Sequence, residues 1–390
     1  MVWQELSKGK IFLIFIFICL CCLFWLPSFA YGAASEEVVD LRGLEEYIGE
    51  LDQSLGLETE DLQLHHIWQQ IKAGDLQLDF RQIGEILWNL LFQEVYHNKM
   101  LFTQLIVVSM AAVILNMLSE HFAQGGVATL TRGVVYLALI SIALTSFRSA
   151  SRTALNAVNG MTDLFYALIP LVFTLLAGMG GITGVSIVHP LVFAALSIAT
   201  TLMKNIIFPL IYFATILKVV SYISPRFNLE KLSGLGKDIA MGLLGITMAV
   251  FVGLLGIAGV GTSMIDGLTL KAAKLATGTF VPVIGRSLAD ALESILGTSL
   301  LLKNGIGLIG VIAIFLLCAL PAIKILVMAM VYRFIGALLQ PLGDEKLALA
   351  ISGIGQSLLL VFAVLVAAGI LFFFTISLVV TMGNLTMMMR

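Results

Sequence analysis

Charge is scarce in this sequence. Only 12% of its 390 residues are Asp, Glu, Lys or Arg, about half the share usual in soluble domains. That scarcity excludes a protein kept in solution by a charged shell. The charge is acidic in residues 35–99 and mildly basic from residue 100 onward, a split that argues against nucleic-acid binding, which needs a basic patch outside lipid. Cysteine is scarce too. Cys19, Cys21 and Cys22 share one apolar run and Cys318 lies in another, which leaves no disulfide framework and no loop with zinc-ligand spacing. Gly234-Leu235-Gly236-Lys237 lacks the upstream glycine and the following hydroxyl residue of a phosphate loop, and neither His-Glu-x-x-His nor Gly-x-Ser-x-Gly occurs. His65 and His66 are adjacent, so on a helix they point about 100° apart and do not chelate together. The sequence therefore offers no catalytic, cofactor or metal residues. If ATP is needed, another chain hydrolyses it.

Apolar runs are what the chain has in abundance. It is 59% hydrophobic with a mean hydropathy of +1.02. Ile106–Leu118, Gly133–Phe147, Ile239–Gly259, Gly305–Leu320 and Ser357–Thr381 carry almost no charge. Crossing a hydrocarbon core of about 30 Å takes roughly 20 apolar residues of helix. The fold class is therefore an all-α polytopic membrane protein of about seven to nine spans. The apolar segments fall near 101–118, 131–147, 164–182, 187–203, 206–224, 239–259, 305–320, 322–340 and 355–381, with a mixed stretch at 260–304.

Residues 1–30 read as a signal peptide. Lys8 and Lys10 precede the apolar core Ile11–Leu26, and Pro27-Ser28-Phe29-Ala30 supplies small residues for a cut after Ala30, with Ala33 and Ala34 as alternatives. An uncleaved first anchor is the other reading. Either one puts residues 35–99 outside the cytoplasm. That segment holds fourteen of the 24 acidic residues and four basic ones, whereas the body from residue 100 holds nine acidic and sixteen basic. Leu41, Leu44, Tyr47, Ile48, Leu51 and Leu55 recur at helical spacing. A second stripe runs through Leu62, Leu64, Ile67, Trp68 and Ile71 up to Gly74, and a third through Ile83, Ile86, Leu87, Leu90 and Leu91. Three short helices make a small core, so they are expected to dock on the membrane body or on a partner.

The membrane domain 100–390 echoes itself. Asn159-Gly160-Met161-Thr162 matches Asp266-Gly267-Leu268-Thr269, Pro170 matches Pro282, and Lys204 matches Lys324. Pro225 with Lys231 matches Pro341 with Lys346. Repeats at about 131–238 and 239–355 would account for this, as would chance similarity of Leu- and Gly-rich helices. Repeated architectures place sites at the repeat interface. If 164–182 and 275–300 dip in and return, each half has three spans and the halves are inverted; if both cross, each half has four and the halves are parallel. The excess of one positive charge in loop 225–238 favours its lying on the cytoplasmic side.

Candidate functional residues are charges in apolar surroundings, because an ion at mid-bilayer costs about 2.5–3.5 kcal/mol or more. Lys204 and Lys324 fall at joints between apolar segments, which favours an interfacial place. Lys218 and Arg333 sit deeper in their segments and are candidates for a polar path. Arg286, Asp290 and Glu293 share one helix face after Pro282. They belong either to an amphipathic helix in the interface or to a re-entrant helix facing water. Two glycine groups, Gly178, Gly180, Gly181, Gly184 and Gly253, Gly256, Gly259, Gly261, suit close helix packing.

The signal peptide, acidic helical segment and glycine-rich polytopic body, together with the loop Pro225-Arg226-Phe227-Asn228-Leu229 and the tail Met382-Gly383-Asn384-Leu385-Thr386-Met387-Met388-Met389-Arg390, resemble the stage III sporulation protein AE family over nearly the whole chain. The resemblance implies an endospore-forming bacterium, a multi-pass protein of the mother-cell membrane surrounding the forespore, and a channel-like or secretion-like complex that supports late forespore gene expression. Implied partners are the lipid bilayer, other proteins of the same operon including a cytoplasmic ATPase and ring-forming subunits, and a forespore membrane protein opposite. No cofactor and no nucleic acid is implied. An autonomous secondary permease for a small solute and a membrane scaffold are the alternative readings of the same composition.

Overall fold

The structure is a computed structural model. It describes residues 46, 48–50, 52–53, 64–73, 88–89, 92–96, 99–122, 126–178, 182–223, 229–280, 284–342 and 345–388. For 70–73, 101, 112, 115–122, 126–132, 135, 177–178, 182–189, 223, 257–280, 284–303, 342 and 382–388 it describes the backbone alone. The signal-peptide reading, most of the acidic segment and the loop 224–228 lie outside the described residues. Every regular element described is helical: α1 (Leu64–Ala73), α2 (Lys99–Phe122), α3 (Gly126–Gly178), α4 (Ile182–Leu202), a π-helical turn (Met203–Ile207), α5 (Phe208–Ile223), α6 (Glu230–Phe280), α7 (Ile284–Leu339), a 3-10 turn (Gln340–Leu342) and α8 (Glu345–Met388).

Among the described residues, five helical stretches are long and apolar enough to cross a membrane: Tyr136–Leu176, Pro190–Tyr222, Glu230–Gly256, Asn304–Leu339 and Glu345–Thr381. They are fewer and longer than the apolar segments of the sequence, because neighbouring segments fuse. Segments 131–147 and 164–182 lie on α3, and 305–320 and 322–340 lie on α7 across Pro321. Proline in a helix removes one backbone hydrogen bond and ordinarily breaks the helix. In a bundle, side-chain hydroxyls and packed neighbours take up the freed groups. Helix α3 likewise continues through Pro170.

The centre of the bundle is the antiparallel pair α7–α8, with α3 laid along both. Its register is set by glycines. A Cβ at Gly336 would stand 2.9 Å from Ser352 Cβ and 3.0 Å from the Ala348 carbonyl oxygen; one at Gly355 would stand 3.0 Å from the Ala329 oxygen. Gly369 meets Cys318, Gly310 meets Ile376, and Gly307 meets Val380. Position falls along one helix as it rises along the other, and the backbones approach closely as small residues allow. Of the two glycine groups expected to do this, Gly253 and Gly256 on α6 have nothing within 4 Å of a built Cβ; the side positions of the others lie outside the described residues. The close crossing of α7 and α8 thus does not involve Gly253 or Gly256.

Helix α3 runs antiparallel to α7 and parallel to α8. Gly160 faces Leu317, Leu168 faces Gly310, and the Phe165 and Phe372 ring centroids lie 6.0 Å apart. Outside this trio, α5 and α6 pair through Ser233 Oγ, which donates to the Ala214 carbonyl at 2.7 Å, and through Gly236, whose Cβ position lies 3.1 Å from Ala214 Cβ. Helix α1 packs against α7 with Leu64, Ile67 and Trp68 buried. Its first turn is capped from a distance: Leu64 N and His65 N donate to the two carboxylate oxygens of Asp52 at 2.7 and 2.9 Å.

Candidate functional site

The polar residues of α3 line up. Thr145, Arg148, Arg152, Asn156, Asn159 and Asp163 follow one another at steps of three or four, and all are exposed. At about 100° per residue they share a sector about 80° wide. Ser141 extends the row at one end, and Tyr166, Pro170 and Thr174 extend it at the other, all exposed as well. The opposite side of the same helix is core: Ala143, Phe147, Ala154, Val158, Met161, Phe165 and Leu168 are buried. Helix α3 is therefore amphipathic in the reverse of the sense a lipid-facing helix needs: its apolar stripe turns inward, and polar and charged side chains turn outward.

The depth of this row is set by register. Asn159 to Asp163 stand beside Leu317 and Phe372, near the middles of the apolar stretches Asn304–Leu339 and Glu345–Thr381. Arg148 and Arg152 lie two to four turns further along, toward the end where α7 and α8 join. No described residue forms an ion pair with either arginine.

Lys204 meets the row near its inner end. It sits in the π-helical turn between α4 and α5, an insertion of the kind frequent at functional sites. Its Nζ donates to Thr162 Oγ1 at 3.3 Å, and that hydroxyl donates onward to the Val158 carbonyl at 2.6 Å. The Asp163 carboxylate lies near enough to act on the ammonium electrostatically. The joint at which the sequence placed Lys204 is thus a continuous helical rod, and its ammonium is turned toward α3.

Lys218 and Arg333 converge on one turn of α8 from two neighbouring helices. Lys218 Nζ donates to Gln356 Oε1 at 2.9 Å, and its Cε lies 3.0 Å from the Cβ position of Gly353. Arg333 Cγ lies 2.8 Å from the Cβ position of Gly355. At Gly355 backbone is close as well, with the Ala329 carbonyl oxygen 3.0 Å from the Cβ position, so glycine is required there. Lys324 Nζ stands 3.8 Å from Glu94 Oε1, which ties the stretch before α2 to α7. Arg286, Asp290 and Glu293 are on α7 by backbone, and their side chains lie outside the described residues. Of the seven charges flagged in the sequence, the four with described side chains fall in three separate places. The row Arg148–Asp163 was not among them, although its spacing was readable, because it falls between the apolar segments 131–147 and 164–182. Among the described residues no group of three His, Cys, Asp or Glu is placed to hold a metal. His65 is exposed and bonded to Gln69 at 3.0 Å.

The sequence profile of stage III sporulation protein AE matches residues 62–383. Stage III sporulation protein AE of Bacillus subtilis (strain 168) is 36% identical over 317 residues, covering 81% of this chain and 79% of that protein. No solved structure matches. A match across the bundle, the outward polar row and the helix that docks on α7 leads to one conclusion: the chain belongs to the stage III sporulation protein AE family, a family of sporulation proteins.

Proposed function

We propose that this protein is a non-enzymatic membrane subunit of a channel-like or secretion-like complex joining mother cell and forespore. Its place is the mother-cell membrane, with the acidic N-terminal segment extracytoplasmic. Its partners are other stage III sporulation proteins, including an ATPase and ring-forming subunits, and a forespore membrane protein. One observation carries the reading: a candidate membrane-spanning helix turns a continuous polar row outward beside the most apolar pair of the bundle. A charge facing lipid at mid-depth, where Asp163 stands, would cost about 2.5–3.5 kcal/mol at the least. The row is stable there only against water or a polar neighbour, which a multi-subunit conduit supplies. Lys204 belongs to this wall. Lys218, Arg333 and Lys324 stand beyond it as supports between helices. Arg286, Asp290 and Glu293 belong to an amphipathic stretch of α7 in the interface.

The internal repeat deepens the reading. Helices α6 and α8 begin with the same residues, Glu230-Lys231-Leu232 and Glu345-Lys346-Leu347, each after a proline-containing connection. Repeats of about 131–238 and 239–355 make Lys204 and Lys324 counterparts.

The test is isolation in mild detergent from sporulating cells, with Arg148→Leu and Asn156→Leu introduced singly. We expect the wild type to come out with the operon's other proteins, and both variants to accumulate normally yet form at least tenfold fewer spores. Solute uptake by the purified protein alone in liposomes would support the permease reading instead. Wild-type sporulation by both variants would support the scaffold.

A further inference from the structure

The charges of the α3 row are not evenly spread, and their distribution says what the wall favours. Arg148 and Arg152 occupy one end, the middle is the neutral pair Asn156 and Asn159, and Asp163 occupies the other end, with Lys204 held beside it through Thr162. Three cations thus stand against one anion, and the single carboxylate is the one with a cation at its side. Resting on the conduit reading above, we infer that the row is an anion-selecting surface, taking small soluble solutes that carry carboxylate or phosphate groups.

Symmetry opposes a dry contact of one row against the same row of a second copy. Copies in one membrane are related by an axis along its normal, so the row of one meets the row of the next at equal depth. Arg148 would then oppose Arg148, Arg152 oppose Arg152 and Asp163 oppose Asp163, which is repulsive throughout. Arg would meet Asp only if one copy were inserted upside down. An open face, by contrast, suits these side chains. Copies arranged around water would set two levels of guanidinium about 6 Å apart along the axis, and rings of Arg or Lys are how pores favour anions and phosphate. Guanidinium offers a planar fork that matches carboxylate and phosphate oxygens. The amides of Asn156 and Asn159 then give a neutral stretch in which an ion is solvated without being trapped.

The test uses full-length protein in membranes of sporulating cells with all partners present. Cys19, Cys21, Cys22 and Cys318 are replaced by Ser, and single cysteines are introduced as Asn156→Cys and Asn159→Cys. Modification rates are compared for an anionic (sulfonatoethyl) and a cationic (trimethylammonioethyl) methanethiosulfonate. We expect the anionic reagent to react about tenfold faster, in the range that local fields give to association rates. Adding Arg148→Gln and Arg152→Gln should abolish that preference, and inorganic phosphate should slow the reaction. Equal rates for the two reagents would overturn the selectivity and leave the conduit reading standing. No reaction with either would overturn both. A preference that survives the double arginine variant would overturn the assignment to these residues. An anionic preference that ignores phosphate but tracks the anionic-lipid content of reconstituted vesicles would identify a lipid headgroup as the occupant and overturn the solute proposal.

Discussion

Lys204 has few options in its surroundings. Its neighbours on the π turn are Met203 and Ile207, both fully buried, and its polar company comes from α3. Removing the charge of Asp163 alone leaves the ammonium with only the Thr162 hydroxyl, so Asp163→Asn should lower stability. Because Asp163 is exposed and Lys204 only half-buried, the cost is about 1 kcal/mol or less rather than that of a sealed pair. Adding Lys204→Met should recover most of the loss, and thermal unfolding of the three variants in detergent checks the pattern. Lys218→Met breaks the 2.9 Å bond to Gln356 and should cost about 1 kcal/mol. At this scale the sequence was half legible. It pointed to Lys204, Lys218 and Arg333 as charges needing an explanation. It did not reveal that the last two meet on Gly353 and Gly355, since nothing in one helix states which turn of another will face it.

Glycine has two different uses among the helices. Gly336 and Gly355 have backbone of the facing helix within about 3 Å of where a side chain would begin, and backbone cannot turn aside. Gly336→Val or Gly355→Val should therefore push α7 and α8 apart and cost about 2–3 kcal/mol or more. Gly242 and Gly253 on α6 face open space. Gly242→Ala and Gly253→Ala should be neutral or stabilising by up to about 1 kcal/mol, through helix propensity alone. Melting temperatures of the four single variants separate the two classes. Helical type was legible from composition, whereas helix ends were not. Pro321 read as a break between 305–320 and 322–340, yet it sits inside α7, because packed neighbouring helices make good what proline removes.

For the molecule as a whole, the sequence conveyed the solvent more readily than the architecture. A chain of 59% hydrophobic residues in long runs has to be read in lipid, and five stretches long enough to cross are present among the described residues. The order of packing was hidden, because α7–α8 and the α3 that lies along them are joined by no local signal. The N-terminal region shows the same limit. Its amphipathic stripe foretold α1, but docking on α7 depends on Asp52 capping α1 across twelve residues of chain. Asp52→Ala should cost about 1 kcal/mol locally and expose α1 to limited proteolysis while the bundle stays resistant.

The stretch Tyr136–Leu176 spans 41 residues, about 60 Å of helix. A hydrocarbon layer is about 30 Å thick, and helices lean by about 40° at most, so at least about four turns of this rod must emerge into water. A post taller than the floor it pierces can be gripped from above. Proteins that never enter the bilayer therefore have a handle on this one, and its assembly does not require every neighbour to be a membrane protein.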